Sequence, residues 1–107
     1  MAIAEITVDE LAEKMAHGAR VIDVRETDEY EGGHIPGAVH VVLGSVPDNV
    51  EAFRGGDPTY VVCRSGGRSM QACEYLIGHG VHIVNVAGGT MAWVQSGRDT
   101  VSGDSPS

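Results

Sequence analysis

The strongest constraint on the fold is an alternation: short β-branched runs take turns with helix-spaced segments along 107 residues. Val21-Ile22-Asp23-Val24, Val39 to Leu43, Tyr60-Val61-Val62 and His82 to Val86 read as strands. Before them, Thr7 and Glu10 form a capping box, and Val8, Leu11, Ala12 and Met15 follow at helical spacing with Gly18 as the stop. Thr27 to Glu31 reads as a brief acidic helix, Arg68 to His79 as a longer one stopped by Gly80, and Thr90 to Gln95 as a short one. Ser45 to Gly56 has no clear period, and a short helix and a loop are expected there. This alternation predicts an α/β domain with a mostly parallel sheet. Strands nearly continuous in Val and Ile are expected to be covered on both faces. In such sheets the reactive groups gather at the carboxyl ends of the strands.

The length fits one domain. From Gly97 the composition turns to Ser, Gly, Asp and Pro, so residues 100–107 are expected to form a flexible tail behind a domain spanning 1–99. Seven Lys+Arg against fifteen Asp+Glu give a net charge of −8, which argues against nucleic acid or an anionic membrane surface as a partner. Met1 to Asp9 has neither a basic nor a long apolar stretch, so no secretory leader is expected. No apolar run approaches the roughly 20 residues that span a bilayer. Two cysteines, Cys63 and Cys73, are too few for a disulfide framework and fit a reducing cytoplasm.

Cys63-Arg64-Ser65-Gly66-Gly67-Arg68-Ser69 carries the chemistry. A cysteine ends an apolar strand, a Gly-rich loop follows, and a helix opens beyond it. Backbone N–H groups of such a loop can converge on one point, and the helix N-terminus adds its positive dipole end. With Arg64 and Arg68 beside it, Cys63 is expected to have a depressed pKa and to be nucleophilic. The same cradle accepts an anion.

At these residues the sequence resembles the rhodanese family of sulfurtransferases, whose active loop has six residues and starts with cysteine, here Cys63 to Arg68. Asp23-Val24-Arg25, Glu29-Tyr30 and Gly33-His34-Ile35-Pro36-Gly37-Ala38 are similar to the family's N-terminal signature, and Gly88-Gly89, Trp93 and Gly97 to its C-terminal one. His40 stands where the family commonly has asparagine. The resemblance implies a small rhodanese-like domain, with a sheet of about five strands flanked by helices on both faces. It implies that Cys63 takes sulfur from a small anionic donor such as thiosulfate and passes it, as a persulfide, to cyanide or a thiol. No cofactor and no metal are implied. The loop residues Arg64, Ser65, Gly66, Gly67, Arg68 and Ser69 would bind substrate, with Arg64 or Arg68 on the donor's anionic end. The spacing C-x4-R separates the loop from the C-x5-R of cysteine phosphatases and arsenate reductases. The same loop also suits a relay that hands sulfur to a protein thiol, or a regulatory module that holds an anion or senses redox state. A monomer or weak dimer is expected.

The remaining candidates read as structural. Asp23 and Arg25 form a supporting shell, with Arg25 able to pair with Glu29 four residues on. Cys73 lies on an apolar stripe with Met70, Leu76 and Ile77 and is expected in the core. His34 is expected to make structural hydrogen bonds and Trp93 to pack beside Gly88-Gly89; Ser65 and Ser69 are expected to donate to the Cys63 sulfur or to cap the helix, with capping favoured for Ser69. His17, His40, His79 and His82 show no metal-ligand spacing with the cysteines.

Overall fold

The computed structural model of the chain describes residues 2–107. In chain order the elements are β1 (Glu5–Ile6), α1 (Val8–Ala16), β2 (Arg20–Asp23), α2 (Thr27–Gly32) and β3 (Val39–His40). Two 3-10 segments (Leu43–Asp48 and Val50–Phe53) lead to β4 (Thr59–Val62), α3 (Gly67–Ile77), β5 (Ile83–Val86) and α4 (Gly89–Gln95). The five strands form one sheet, ordered β1-β5-β4-β2-β3, and every pairing is parallel.

Side chains alternate across a strand, so a run buried at every position fills two cores. Ile22, Val61, Cys63 and Ile83 pack with Ala72, Cys73 and Leu76 of α3 and with Val46 and Phe53 of the 3-10 segments. Val21, Tyr60, Val62, Val84 and Val86 pack on the other face with Val8 and Leu11 of α1 and with Trp93 of α4. Helices therefore cover both faces, and β4, buried along its whole length, lies at the centre.

The capping box of α1 forms as the sequence predicts: the Glu10 N–H donates to Thr7 Oγ1, and the Thr7 N–H to Glu10 Oε1. One element that the sequence did not announce, and the shortening of another, have local reasons. β1 is only two residues long, below the length at which alternation is visible in a sequence. β3 stops at His40, because the backbone beyond it bonds Val24 through the Leu43 N–H and then turns into the first 3-10 segment.

Residues 100–107, expected as a flexible tail, are docked. Val101 and His34 exchange two backbone hydrogen bonds of 2.9 Å, the Gly103 N–H donates to Glu31 O, and the Gly37 N–H donates to Pro106 O. A ring nitrogen of buried His34 lies 2.9 Å from Ser105 O. The tail is held through backbone groups, which its Ser, Gly, Asp and Pro composition does not reveal. Deleting residues 100–107 is expected to cost about 2 kcal/mol, lowering the Tm by roughly 10 °C. An unchanged melting curve would mean that the segment adds nothing to the fold.

Candidate active site

Cys63 follows the last residue of central β4 and is 1% exposed. Burial in an apolar setting opposes charge on a thiol. The chain answers with donors: the Gly66 N–H lies 3.1 Å from Cys63 Sγ, and the Ser69 hydroxyl lies 3.4 Å from it. Burial is the largest single influence on Cys63 and pushes its pKa up. The Ser69 hydroxyl and the N–H groups of Ser69, Gly66 and Ser65 together outweigh it, so the thiol sits below its ordinary value. The expectation of a depressed pKa is met, but by these donors; the two arginines are not among its main causes.

Gly66 precedes α3 with φ +114, a left-handed conformation that favours glycine. That conformation lets its N–H face the sulfur while its carbonyl opens the helix by accepting from the Met70 N–H. Of the two roles expected for Ser69 the favoured one, the helix cap, is not taken: Ser69 lies inside α3 and turns its hydroxyl toward Cys63 Sγ and Gly66 O. The loop is also clamped from behind. The Thr90 N–H donates to Cys63 O and the Met91 N–H to Arg64 O. A Cβ on Gly89 would stand 2.5 Å from Cys63 O and 2.6 Å from Arg64 O, so the glycine at this position is what allows the close approach.

The two loop arginines have different surroundings. Arg68 forms a two-pronged ion pair with Glu29, with Nη1 to Oε1 at 2.6 Å and Nη2 to Oε2 at 2.9 Å. Arg64 is exposed, and its side chain has no hydrogen bond or ion pair among the described residues. The sequence expectation that Arg25 pairs with Glu29 is therefore corrected. Glu29 is taken by Arg68, and buried Arg25 turns back onto Asp23, with Nη2 to Oδ2 at 2.9 Å, while also donating to Gly33 O at 2.8 Å. Arg25 begins a turn rather than a helix, so the four-residue spacing to Glu29 is not helical.

His40 accounts for its own departure from the family pattern: a ring nitrogen lies 2.7 Å from Arg25 O, and the ring stacks on Tyr30 at 4.5 Å. His34 also stacks on Tyr30, at 3.7 Å. Cys73 is fully buried, and burial pushes its thiol up to about 12. Asn85, which the sequence reading passed over, also reaches the loop, with Glu5 behind it. Asn85 Nδ2 donates to Gly66 O and to Glu5 Oε2. The signal was a polar residue at the centre of an apolar strand. A cleft of about 650 Å³ opens beside the loop, lined by Arg25, Glu29, Arg64, Thr90, Met91 and Val94 among others. Among the described residues no group of His, Cys, Asp and Glu could hold a metal ion, and no helix is long and apolar enough to cross a membrane.

A family model described as a rhodanese-like domain matches residues 7–96. The chain belongs to that family. YtwF of Bacillus subtilis is 43% identical over 95 residues, covering 87% of this chain and 92% of that protein. Thiosulfate sulfurtransferase GlpE of Pseudomonas entomophila is 38% identical over 90 residues, covering 83% and 79%. The fold is similar to the crystal structure of a rhodanese-related protein from Thermoplasma volcanium, at 29% identity and a TM-score of 0.84 over 92% of this chain and 97% of that one.

The Arg68–Glu29 pair links α3 to α2. The Arg68 guanidinium holds the Glu29 carboxyl down from 4.5 to about 2. A depressed carboxylate stabilises the fold above its unfolded pKa and ceases to do so as pH falls through its folded one. With the two side chains 34% and 29% exposed, the pair is worth about 1 kcal/mol at neutral pH after solvent screening. The stability gap between wild type and Glu29→Gln, measured by urea unfolding, is expected to be constant above pH 5 and to close between 4.5 and about 2. A gap that persists at the acid end would rule out the ion pair as its source.

Proposed function

We propose that the protein is a sulfurtransferase that moves sulfane sulfur from thiosulfate through a persulfide on Cys63. The observation that carries this reading is the convergence of the Gly66 N–H and the Ser69 hydroxyl on one buried sulfur. These donors stabilise a thiolate, and they stabilise equally the anionic persulfide that replaces it. The six-residue loop and its family support the same reading, and GlpE, similar over most of both chains, bears thiosulfate in its name.

In the first step Cys63 thiolate attacks the outer sulfur of thiosulfate. A new S–S bond forms, the donor's S–S bond breaks, and sulfite leaves with the electron pair. In the second step a thiolate or cyanide attacks the terminal sulfur of the persulfide, and Cys63 leaves again as thiolate. Every species at the sulfur is an anion or passes through one, so the donor set serves both steps without moving. Arg64, exposed on the loop and without an ion pair among the described residues, meets the donor's sulfonate end; Arg68, spent on Glu29, holds the loop to α2. Asp23 and Arg25 fix the neighbouring turn and do not touch the reacting sulfur.

Thiosulfate treatment is expected to add the mass of one sulfur atom to the intact wild-type protein and nothing to Cys63→Ser. Equal loading of the two would refute the assignment. Arg64→Ala should raise the KM for thiosulfate about tenfold, the loss of a charge-assisted contact, with kcat little changed. An equal rise in Arg68→Ala with Arg64→Ala silent would reverse the roles of the two arginines.

A further inference from the structure

Within β5, Asn85 interrupts a strand otherwise made of Ile83, Val84 and Val86. Strand alternation puts Asn85 on the same face as Ile83, the face shared by Cys63, Val61 and α3. Asn85 is fully buried. Its amide nitrogen donates to Glu5 Oε2 at 2.8 Å and, through a longer hydrogen bond of 3.3 Å, to Gly66 O. Both partners are acceptors only, so the amide orientation is determined: a flipped Asn85 would set its oxygen against a carboxylate and a carbonyl.

The chosen orientation has a cost. Asn85 Oδ1 is buried without a partner, and the other such side-chain atom among the described residues is Thr90 Oγ1. Both belong to residues that bond the backbone of the active loop, Asn85 at Gly66 O and Thr90 at Cys63 O. An unsatisfied buried polar atom is a penalty that folds seldom retain without a compensating role. Gly66 is where such a role is needed. It is flanked by Gly67, it sits at φ +114, and its N–H must stay aimed at Cys63 Sγ. Glycine holds no conformation by itself, so an anchor on its carbonyl limits how far the N–H can swing from the sulfur.

We infer that Asn85 is a positioning residue for the persulfide chemistry, with Glu5 of β1 orienting its amide so that Gly66 stays aimed at Cys63. The strut runs from the sheet edge to the reacting sulfur: Glu5 carboxylate, Asn85 amide, Gly66, Cys63 Sγ. Because Glu5 is an anion, it also polarises the amide it accepts from. This inference rests on the assignment of Cys63 as the reacting thiol. The titration below measures thiolate alone, so it fails or succeeds independently of whether thiosulfate loads the protein.

Glu5 is exposed at a strand edge, where substitution does not threaten the fold. It offers a test in which two mechanisms predict opposite signs. Through space, removing an anion can only make the Cys63 thiolate easier to form. Through the strut, losing the acceptor frees the Asn85 amide and makes the thiolate harder to form. The other charged or titratable groups of this region, namely Arg64, the Arg68–Glu29 pair, the Asp23–Arg25 pair and Cys73, are left in place.

The readout is the ultraviolet absorbance of the thiolate across a pH series, with Cys63→Ser as the blank. In Glu5→Ala the midpoint is expected to rise by about half a pH unit, roughly threefold less thiolate at any pH below it. In Glu5→Gln, which keeps an oxygen acceptor and removes the charge, it is expected at or below the wild-type value. Asn85→Leu, similar in size and free of the orphaned oxygen, is expected to match or exceed the rise of Glu5→Ala while retaining the wild-type Tm. A Glu5→Ala midpoint equal to or below that of Glu5→Gln would overturn the strut, and so would a folded Asn85→Leu that titrates as wild type.

Discussion

Everything around the candidate site follows from placing the Cys63 sulfur at the end of a buried strand and surrounding it with donors. Desolvation is the largest single influence on Cys63 and acts against the thiolate. The fold offsets it with donors already in place: an N–H from a left-handed glycine and a hydroxyl from the first turn of α3. Those donors are useful only if they stay put. Their positions account for the backbone bonds from Thr90 and Met91, for the absence of a side chain at Gly89, and for the contact from Asn85.

The wider fold is the frame for that arrangement. A parallel sheet with β4 at its centre brings the carboxyl ends of β2, β4 and β5 to one edge. From β2 come the Asp23–Arg25 pair and, one turn later, Glu29; from β4 comes Cys63; after β5 come Gly88, Gly89 and the start of α4. The net charge of −8 coexists with three arginines gathered at this edge. Two of them are neutralised by Asp23 and Glu29, while Arg64 is exposed on the loop with no ion pair among the described residues.

Much of this was legible in the sequence, and for identifiable reasons. Val61 and Val62 marked the central strand, Thr7 and Glu10 marked the first helix start, and Cys63 followed by Gly66-Gly67 marked the loop, because period, caps and glycines are local signals. What was not legible depends on partners distant in the chain. Arg68 and Glu29 are 39 residues apart, and Asn85 and Glu5 are 80 apart, so nothing in either neighbourhood announces the pairing. The local alternative, Arg25 with Glu29, was reasonable for a helix and failed because the chain turns there. Ser69 fits a cap by composition, yet its hydroxyl is drawn to the sulfur. The docking of residues 100–107 was invisible because backbone groups make it.

The central claim is that backbone and hydroxyl donors, and not the arginine charges, hold the Cys63 thiol below its ordinary pKa. Titrating the thiolate absorbance of wild type beside Arg64→Ala tests it most directly. The account predicts that both titrate below the ordinary thiol value and together. A wild-type midpoint at or above that of a free thiol, or one that returns to it when Arg64 alone is removed, would contradict the account.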